Sequence, residues 1–283
     1  MISIKQPVVS NREFVMTDKE FETIRTIVSE RTGIVLSDGK RDMVYGRLVR
    51  RLRALGLSGF AEYCDLIARG DESELSEFVN AITTNLTAFF REKHHFEFLE
   101  KELLPSIIKN KKERKLRVWS AGCSSGEEPY SIAMVIRETV PADWDVKILA
   151  TDLDTNMVNK ASSGIYAETR VSGIDKNRLK RWVRKGKGTR SDMIRISDEL
   201  RNMITFNQLN LMHSWPFKGP FDFIFCRNVV IYFNKDTQRI LFNRFADLLY
   251  DGAHLFIGHS ESMFNVCDRF RLLGKTIHKK QEI

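Results

Sequence analysis

The spacing of apolar positions changes character about a third of the way along the chain. Up to about residue 90 they recur at helical intervals. Thr17-Asp18-Lys19-Glu20 reads as a capping box, in which the threonine hydroxyl and the glutamate carboxylate each satisfy a backbone N–H of the first turn. Phe21, Ile24, Ile27 and Val28 then form one stripe, and Gly33 is a natural stop. A second helix is predicted over 39–55, ended by Gly56. At a helical repeat of about 100° per residue, Val44, Leu48, Leu52 and Leu55 share one face, with Lys40, Arg47, Arg50, Arg51 and Arg53 opposite. Two shorter helices are predicted at about 60–68 and 72–84, making a small all-helical domain.

Residues 93–110 read as a charged helix, and the strongly basic run 109–117 marks a boundary. Beyond it strands and helices alternate. Strands are predicted at 117–120, 146–151 and 253–257, and the apolar segment 221–226 is of the kind found inside a parallel sheet. Helices are predicted to begin near Pro129, a favoured first-turn residue, and after a cap at Asp154 or Thr155. Another spans about 236–249. The tail 270–279 reads as an antiparallel pair. This alternation predicts an α/β doubly wound sheet. It breaks between Ile165 and Met203, a basic, glycine-containing stretch too long for an ordinary connection and therefore read as an insertion. The expected organisation is a helical domain at 1–90, a linker helix at 91–115 and an α/β domain at 116–283, with an insertion at 165–205.

Composition narrows the class. Apolar residues make up 42% and charged residues 29%, as in an ordinary globular chain. No apolar run approaches the length of about 18 residues that spans a bilayer. Residues 1–20 lack a basic start followed by an apolar block, so no signal peptide is expected and the predicted location is cytoplasmic. Cys64, Cys123, Cys226 and Cys267 form no CxxC pair, which argues against a disulfide or zinc framework; no metal is expected. His94, His95 and His213 have no metal-site spacing either. No dimer seam is visible, and a monomer is expected. The net charge of +8 implies an acidic partner. The charge is concentrated: residues 40–55 hold six Lys/Arg against Asp42 alone, and residues 165–205 hold 11 basic and 5 acidic residues.

The chemistry centres on Val118-Trp119-Ser120-Ala121-Gly122-Cys123-Ser124-Ser125-Gly126-Glu127-Glu128-Pro129, where a predicted strand gives way to a small-residue loop and a helix. Gly122 and its neighbours let a ligand approach the backbone closely, at the carboxyl end of the first strand of an open sheet. Asp152 ends the next strand, where a carboxylate can accept hydrogen bonds from both hydroxyls of a ribose. The loop is not GxGxxG, and Glu127 and Glu128 would repel a diphosphate. They suit a cofactor carrying positive charge, such as the sulfonium and amino group of S-adenosylmethionine (SAM). The plainer alternative is that both glutamates favour a helix N-terminus. Gly122–Gly126 also fits the G-x-S-x-G elbow of serine hydrolases, with His254, His259 or His278 as bases. That elbow normally follows several strands, and the hydrolase reading leaves Asp152 without a role.

The segments LSDGKRDMVYGRLVRRLRALG, TTNLTAFFRE, RVWSAGCSSGEEPYSIAM, ATDLD and GPFDFIFCRNVVIYF resemble the chemoreceptor glutamate O-methyltransferases, the CheR family, and the likeness runs over nearly the whole chain. The resemblance implies a Rossmann-like SAM methyltransferase domain preceded by an all-helical domain, with SAM as cofactor and S-adenosylhomocysteine (SAH) as product. It implies that Asn85, Thr87 and Arg91 reach the amino-acid end of the cofactor from the interdomain segment. Glu128 and Asp152 contact the nucleoside end, Asn210 and Leu211 flank the adenine, and Arg227 and Asn228 line the pocket. Arg91 and Tyr232 are placed nearest the reacting groups. The planar fork of Arg91 suits the cofactor carboxylate, against the alternative of an ion pair with Glu92 or Glu97. The resemblance further implies that the basic face of helix 40–53 docks on the acidic helices of bacterial receptor arrays. The insertion is then a small antiparallel β subdomain, resembling, through Arg181–Arg195 with Gly186 and Gly188, the form that holds a receptor's C-terminal tail.

Nucleic acid is the rival substrate, given a pI of about 9.3. Against it, Asn228-Val229-Val230-Ile231-Tyr232 lacks the prolines of amino-methylating DNA enzymes, and Cys226 follows Phe225 where cytosine-5 enzymes have Pro-Cys. Basic patches alone do not establish nucleic-acid binding, and no nucleic-acid partner is expected. A non-catalytic SAM-binding regulator would need the pocket without a substrate-orienting Tyr232.

Overall fold

The computed structural model describes residues 12–282; residues 1–11, on which the expectation of no signal peptide partly rests, lie outside them. The chain divides into two compact units. One runs to Arg31 and includes Val35–Ile82; the other comprises Thr32–Ile34 and Thr83 onward. The division therefore falls at Ile82–Thr83, ahead of the predicted position at 90.

The first unit is helical. Helix α1 (Asp18–Thr32) starts at the predicted capping box: Thr17 N donates to Glu20 Oε2 at 2.6 Å, and Glu20 N to Thr17 Oγ1 at 3.4 Å. Phe21, Ile24 and Val28 are buried, and Ile27 is half-buried. Helix α2 (Arg41–Leu55) is entered through a 3-10 turn at Asp38–Lys40 and ends at Gly56, whose φ of 67° is readily adopted without a Cβ. Helices α3 (Phe60–Ala68) and α4 (Glu72–Ile82) follow, with Phe60, Tyr63, Phe78 and Ile82 in the core.

The basic face expected on helix 40–53 is narrower than its sequence. Glu74 is buried and requires a cation; Arg51 supplies it through both Nε and Nη2, and Tyr63 donates a further hydrogen bond at 2.8 Å. Stranding one member of a buried pair of this kind costs about 3–5 kcal/mol. Arg47 donates to the Ile82 carbonyl at 2.6 Å, and Arg41 pairs with Asp18. Lys40, Arg50 and Arg53 remain exposed, with Arg53 paired to Glu13.

In the second unit, α5 (Lys93–Phe98), a π-helical turn (Leu99–Leu103) and α6 (Leu104–Asn110) follow one another. This is the segment predicted as a linker. Its Phe96, Leu99, Leu103 and Leu104 are buried in the core of the sheet domain. The strands are β1 (Lys115–Ala121), β2 (Asp145–Asp152), β3 (Ile165–Ala167), β4 (Val183–Lys185), β5 (Met193–Ile196), β6 (Ile204–Gln208), β7 (Phe221–Cys226), β8 (Leu249–Ile257), β9 (Phe270–Gly274) and β10 (Ile277–Lys280). Seven form one sheet in the order β6-β2-β1-β7-β8-β10-β9, the first five parallel and the last two antiparallel.

The central strands β1 and β7 are buried on both faces, which their near-continuous apolarity dictates. In β1, Leu116 and Val118 face one core, while Trp119 and Ala121 face the other. In β7, Phe223 and Phe225 join the first core, and Ile224 and Cys226 the second. Helix α7 (Glu127–Thr139) packs into the first core and α11 (Lys235–Asp247) into the second. The one acid in β7, Asp222, is buried; it accepts from Lys111 Nζ at 2.5 Å and Arg117 N at 2.8 Å. Helix α8 (Thr155–Ser163) is capped by Asp154, not Thr155, with Asp154 Oδ1 accepting from Asn156 N and Met157 N.

The insertion lies between α8 and β6. Strands β3, β5 and β4 form a separate antiparallel sheet in that order, with α9 (Lys176–Trp182) between β3 and β4, and α10 (Asp198–Arg201) leading into β6. The chain thus has the predicted architecture of an all-helical segment, a doubly wound sheet and a small antiparallel β insertion.

Candidate active site

From β1 the chain proceeds to β2 and then β6 in one direction, and resumes at β7 on the other side of β1. This reversal makes the carboxyl edge between β1 and β7 the expected ligand crevice. The segments at and after the ends of β1, β2, β6 and β7 carry eight of the eleven candidate residues, Asn85, Thr87 and Arg91 lying ahead of β1, and hydrogen bonds link these segments.

After β1, Gly122 N and Cys123 N both donate to the Thr151 carbonyl, at 2.8 and 2.9 Å. Gly122 has φ of 84°, and a Cβ there would lie 2.3 Å from Val229 Cγ2, because the loop after β7 abuts it. Ser124 also has a positive φ, 47°, and its N–H donates to Asp152 Oδ2 at 2.7 Å. Asp152 Oδ1 accepts from Asp154 N at 2.9 Å. Burial pushes the Asp152 carboxyl up to about 6, despite these backbone bonds. The Asp152 carbonyl receives Leu209 N at 2.9 Å, which ties down the chain just before Asn210 and Leu211. Asn210 Oδ1 accepts from Met212 N at 2.9 Å, and Leu211 is buried.

Asp154 does more than cap α8. Its Oδ2 accepts from Thr83 Oγ1 and Asn85 Nδ2, both at 2.7 Å. The Asn85 carbonyl in turn receives Ser124 Oγ at 3.1 Å. That bond bears on the serine-hydrolase alternative: the central serine of Gly122–Gly126 donates to a backbone carbonyl, and among the described residues no imidazole is bonded to it.

The charges are organised by Arg227, whose side chain is 1% exposed. It lies 3.2 Å from Glu92 Oε2 and 3.1 Å from Glu128 Oε2, and donates to the Arg91 carbonyl at 2.5 Å. Glu128 Oε1 accepts from Ser120 Oγ at 2.7 Å. Burial pushes the Glu128 carboxyl up in spite of these partners. For Glu92, burial is outweighed by Arg227 and the hydrogen bonds from His259, which hold its carboxyl at about 2. The neighbouring His95 is driven down to about 3 by burial and then by Arg227. Glu92, His94 and His95 place one donor atom each within 4.8 Å of one another, but Arg227 already balances the carboxylate.

Glu127 departs from its expected role as a counter-charge facing a ligand. It is fully buried, accepts from Ser125 Oγ at 2.6 Å and pairs with Arg170 of the insertion. Arg91, by contrast, makes no ion pair among the described residues. Its Nη1 donates to the Leu86 carbonyl at 2.8 Å, while Glu92 is taken by Arg227 and Glu97 by Lys93. Thr87 is half-buried, and its carbonyl accepts from Arg170 Nη2 at 3.0 Å.

Glu261 escaped the reading of the sequence. It is buried, and it accepts from Gly258 N at 2.5 Å, Asn228 N at 2.9 Å and Ile231 N at 3.3 Å. It thereby holds Asn228 at φ of 60° and fixes the 3-10 turn Val230–Tyr232. Burial raises its carboxyl against these amides. A signal was present: Gly258-His259-Ser260-Glu261 follows an apolar strand as a small-residue loop ending in an acid, as 122–128 does. Tyr232 is half-buried, and its hydroxyl has no hydrogen-bond partner among the described residues.

These groups fit SAM. A buried carboxylate ends β2, glycine-containing backbone turns beside it, and Arg91 offers a guanidinium with no carboxylate of its own.

The sequence matches the family described as CheR methyltransferase, SAM binding domain, over residues 85–279, and the CheR methyltransferase all-alpha domain over residues 19–83. It is 43% identical to the chemotaxis protein methyltransferase of Salmonella typhimurium over 272 residues, covering 94% of this chain and 92% of that one. The Escherichia coli (strain K12) chemotaxis protein methyltransferase is 44% identical over 268 residues, covering 93% and 91%. Chemotaxis protein methyltransferase 2 of Pseudomonas aeruginosa is 41% identical over 280 residues, covering 98% of each. Fold, site and sequence therefore converge: the chain belongs to the CheR family and is a SAM-dependent chemotaxis protein methyltransferase.

Proposed function

We propose that this enzyme methylates glutamate side chains of bacterial chemoreceptors, forming glutamyl methyl esters and leaving SAH. The observation that carries this reading is that the acids of the site are spent, while among the described residues Arg91 has no carboxylate partner and the Tyr232 hydroxyl has no hydrogen-bond partner. Glu92 and Glu128 are committed to Arg227, Asp154 to a helix cap and Asn85, and Glu261 to backbone amides. None of these four carboxylates is left free to serve as a general base. A glutamate nucleophile needs none, because its free pKa of about 4.3 leaves it ionised at neutral pH. The task left to the protein is alignment and exclusion of water.

In this reading Asp152 receives the ribose hydroxyls and Gly122 admits the cofactor against the backbone. Glu128 contacts the nucleoside end, Asn210 and Leu211 flank the adenine, and Arg227 and Asn228 line the pocket. Asn85, Thr87 and Arg91 hold the amino-acid end, with Arg91 bidentate on the carboxylate. When bound, SAM supplies a methyl group made electrophilic by its sulfonium. Tyr232 donates a hydrogen bond that orients the incoming carboxylate, and Arg91 lies nearby as a fixed positive charge.

Docking is assigned to the exposed cations Lys40, just before α2, and Arg50 and Arg53 on it, facing the acidic receptor helices. Among the described residues the outer edge of β4 in the insertion has no strand beside it, and it is assigned to a receptor's C-terminal tail by strand addition. The enzyme then works in the cytoplasm, recruited to membrane receptor arrays. No helix among the described residues is long and apolar enough to cross a membrane.

Incubation with methyl-labelled SAM and chemoreceptor-rich membranes, with tailed or tail-less receptors, followed by mild base, is expected to release label as volatile methanol. Label that resists base would refute ester formation. Tyr232→Phe is expected to lower kcat about tenfold, the size of one lost hydrogen bond in the transition state, with SAH affinity by calorimetry kept. Unchanged turnover removes Tyr232 from the chemistry. Arg50→Glu with Arg53→Glu should raise KM for receptor and leave SAH affinity alone; unaltered receptor kinetics would place docking elsewhere. The raised Asp152 carboxyl gives a pH signature. Between its ordinary 3.8 and about 6 the free folded chain holds a proton that the unfolded chain has lost. This residue's contribution to the stability of the free protein therefore falls as pH rises through that window, whereas ribose binding favours the ionised form. SAH affinity should drop as pH is lowered through about 6, and Asp152→Asn should flatten that dependence. A wild-type affinity constant from pH 7 to 5 would contradict the assignment.

A further inference from the structure

The first turn of the insertion reaches the residues assigned to the cofactor. Arg170 lies in the 3-10 turn Glu168–Val171, directly after β3. Its Nη2 donates to the Thr87 carbonyl at 3.0 Å, and the same nitrogen is bonded to Glu127 Oε1. Glu127 opens α7 and is 0% exposed, so its charge has to be met inside the protein. Two further contacts hold the insertion to the same places. Tyr166 of β3 donates to the Ser125 carbonyl at 2.7 Å, with its ring edge-on to Phe89 at 5.3 Å between centroids. A Cβ on Gly173 would lie 2.5 Å from the Phe89 carbonyl oxygen, so the backbones meet there without room for a side chain.

We propose that Arg170 is a positioning residue for the cofactor site. One guanidinium nitrogen ties the 85–87 segment to the first turn of α7, and the β insertion thereby forms part of the support of the methyl-donor pocket even with no partner on its outer strand. The proposal rests on the assignment of Thr87 to the amino-acid end of SAM. Arg170 acts through Thr87 and Glu127, not on the cofactor itself.

Removing Arg170 alone strands a buried carboxylate and invites unfolding, so the informative variant is Arg170→Met combined with Glu127→Gln. That pair removes both charges and keeps the volume. Melting temperature, SAH dissociation constant by calorimetry, and the separate KM and kcat for SAM would be measured on the full chain beside Arg170→Lys and Thr87→Ala. The expected result is a double variant that melts near the wild type yet binds SAH about tenfold more weakly, with KM for SAM rising in step and kcat little changed. Arg170→Lys, whose ammonium can reach both acceptors, should recover most of the affinity. Wild-type SAH affinity in the double variant, with weakened binding in Thr87→Ala, would overturn the positioning role alone. Wild-type affinity in both would overturn the assignment of Thr87 as well.

Discussion

An arginine side chain that is 1% exposed must find its counter-charges within the protein, and Arg227 finds them in two segments remote from its own. Glu92 comes from the turn before α5 and Glu128 from the first turn of α7; the Arg91 carbonyl completes the set. Each of the three charged groups is buried or nearly so, so none can be removed without leaving an unsolvated ion behind. The end of β7, the start of α7 and the 91–92 backbone are consequently fixed relative to one another. Arg91 inherits its position from this arrangement: its carbonyl is held while its own guanidinium stays uncommitted to any acid.

The remainder of the edge is built on main-chain bonds. Asp152 receives Ser124 N and Asp154 N, Asp154 receives Asn156 N and Met157 N, and Glu261 receives the amides of Asn228, Gly258 and Ile231. Buried carboxylates that bind backbone amides set loop geometry more firmly than side-chain packing would, since amides cannot change rotamer. The two cores beneath, one on each face of the sheet, hold the strand ends from which these loops spring. The result is a set of loops held in fixed positions at the carboxyl edge of the sheet.

How much of this was legible depended on how local the cause was. The capping box at Thr17–Glu20, the Gly56 stop, the Asp154 cap and the fully buried β7 were readable because each is decided within a few residues. The turn at 122–126 and the strand-ending Asp152 were readable as structure because a small-residue turn and a strand-ending acid announce themselves. Features decided at long range were not. Arg51 looked like one more cation of the docking face because its partner Glu74 is 23 positions away. Glu127 looked like a ligand counter-charge because Arg170 is 43 positions away. The 93–110 helix looked like a linker because its exposed charges mask Phe96, Leu99, Leu103 and Leu104, whose stripe is shifted by the π-helical turn. Strand β6 is an edge strand with mixed polarity, so its sequence carries little alternation to detect.

Glu261 recognises the chain after β7 only through main-chain N–H groups. Its grip on that segment is therefore indifferent to which side chains the segment carries. Val229 is constrained separately by Gly122, but Ile231, 46% exposed between the clamped backbone and solvent, is not. A residue at that place can be exchanged for one of different size or polarity while the loop keeps its path. The outer surface of that segment can thus diversify in sequence without any rebuilding of the loops that Glu261 holds.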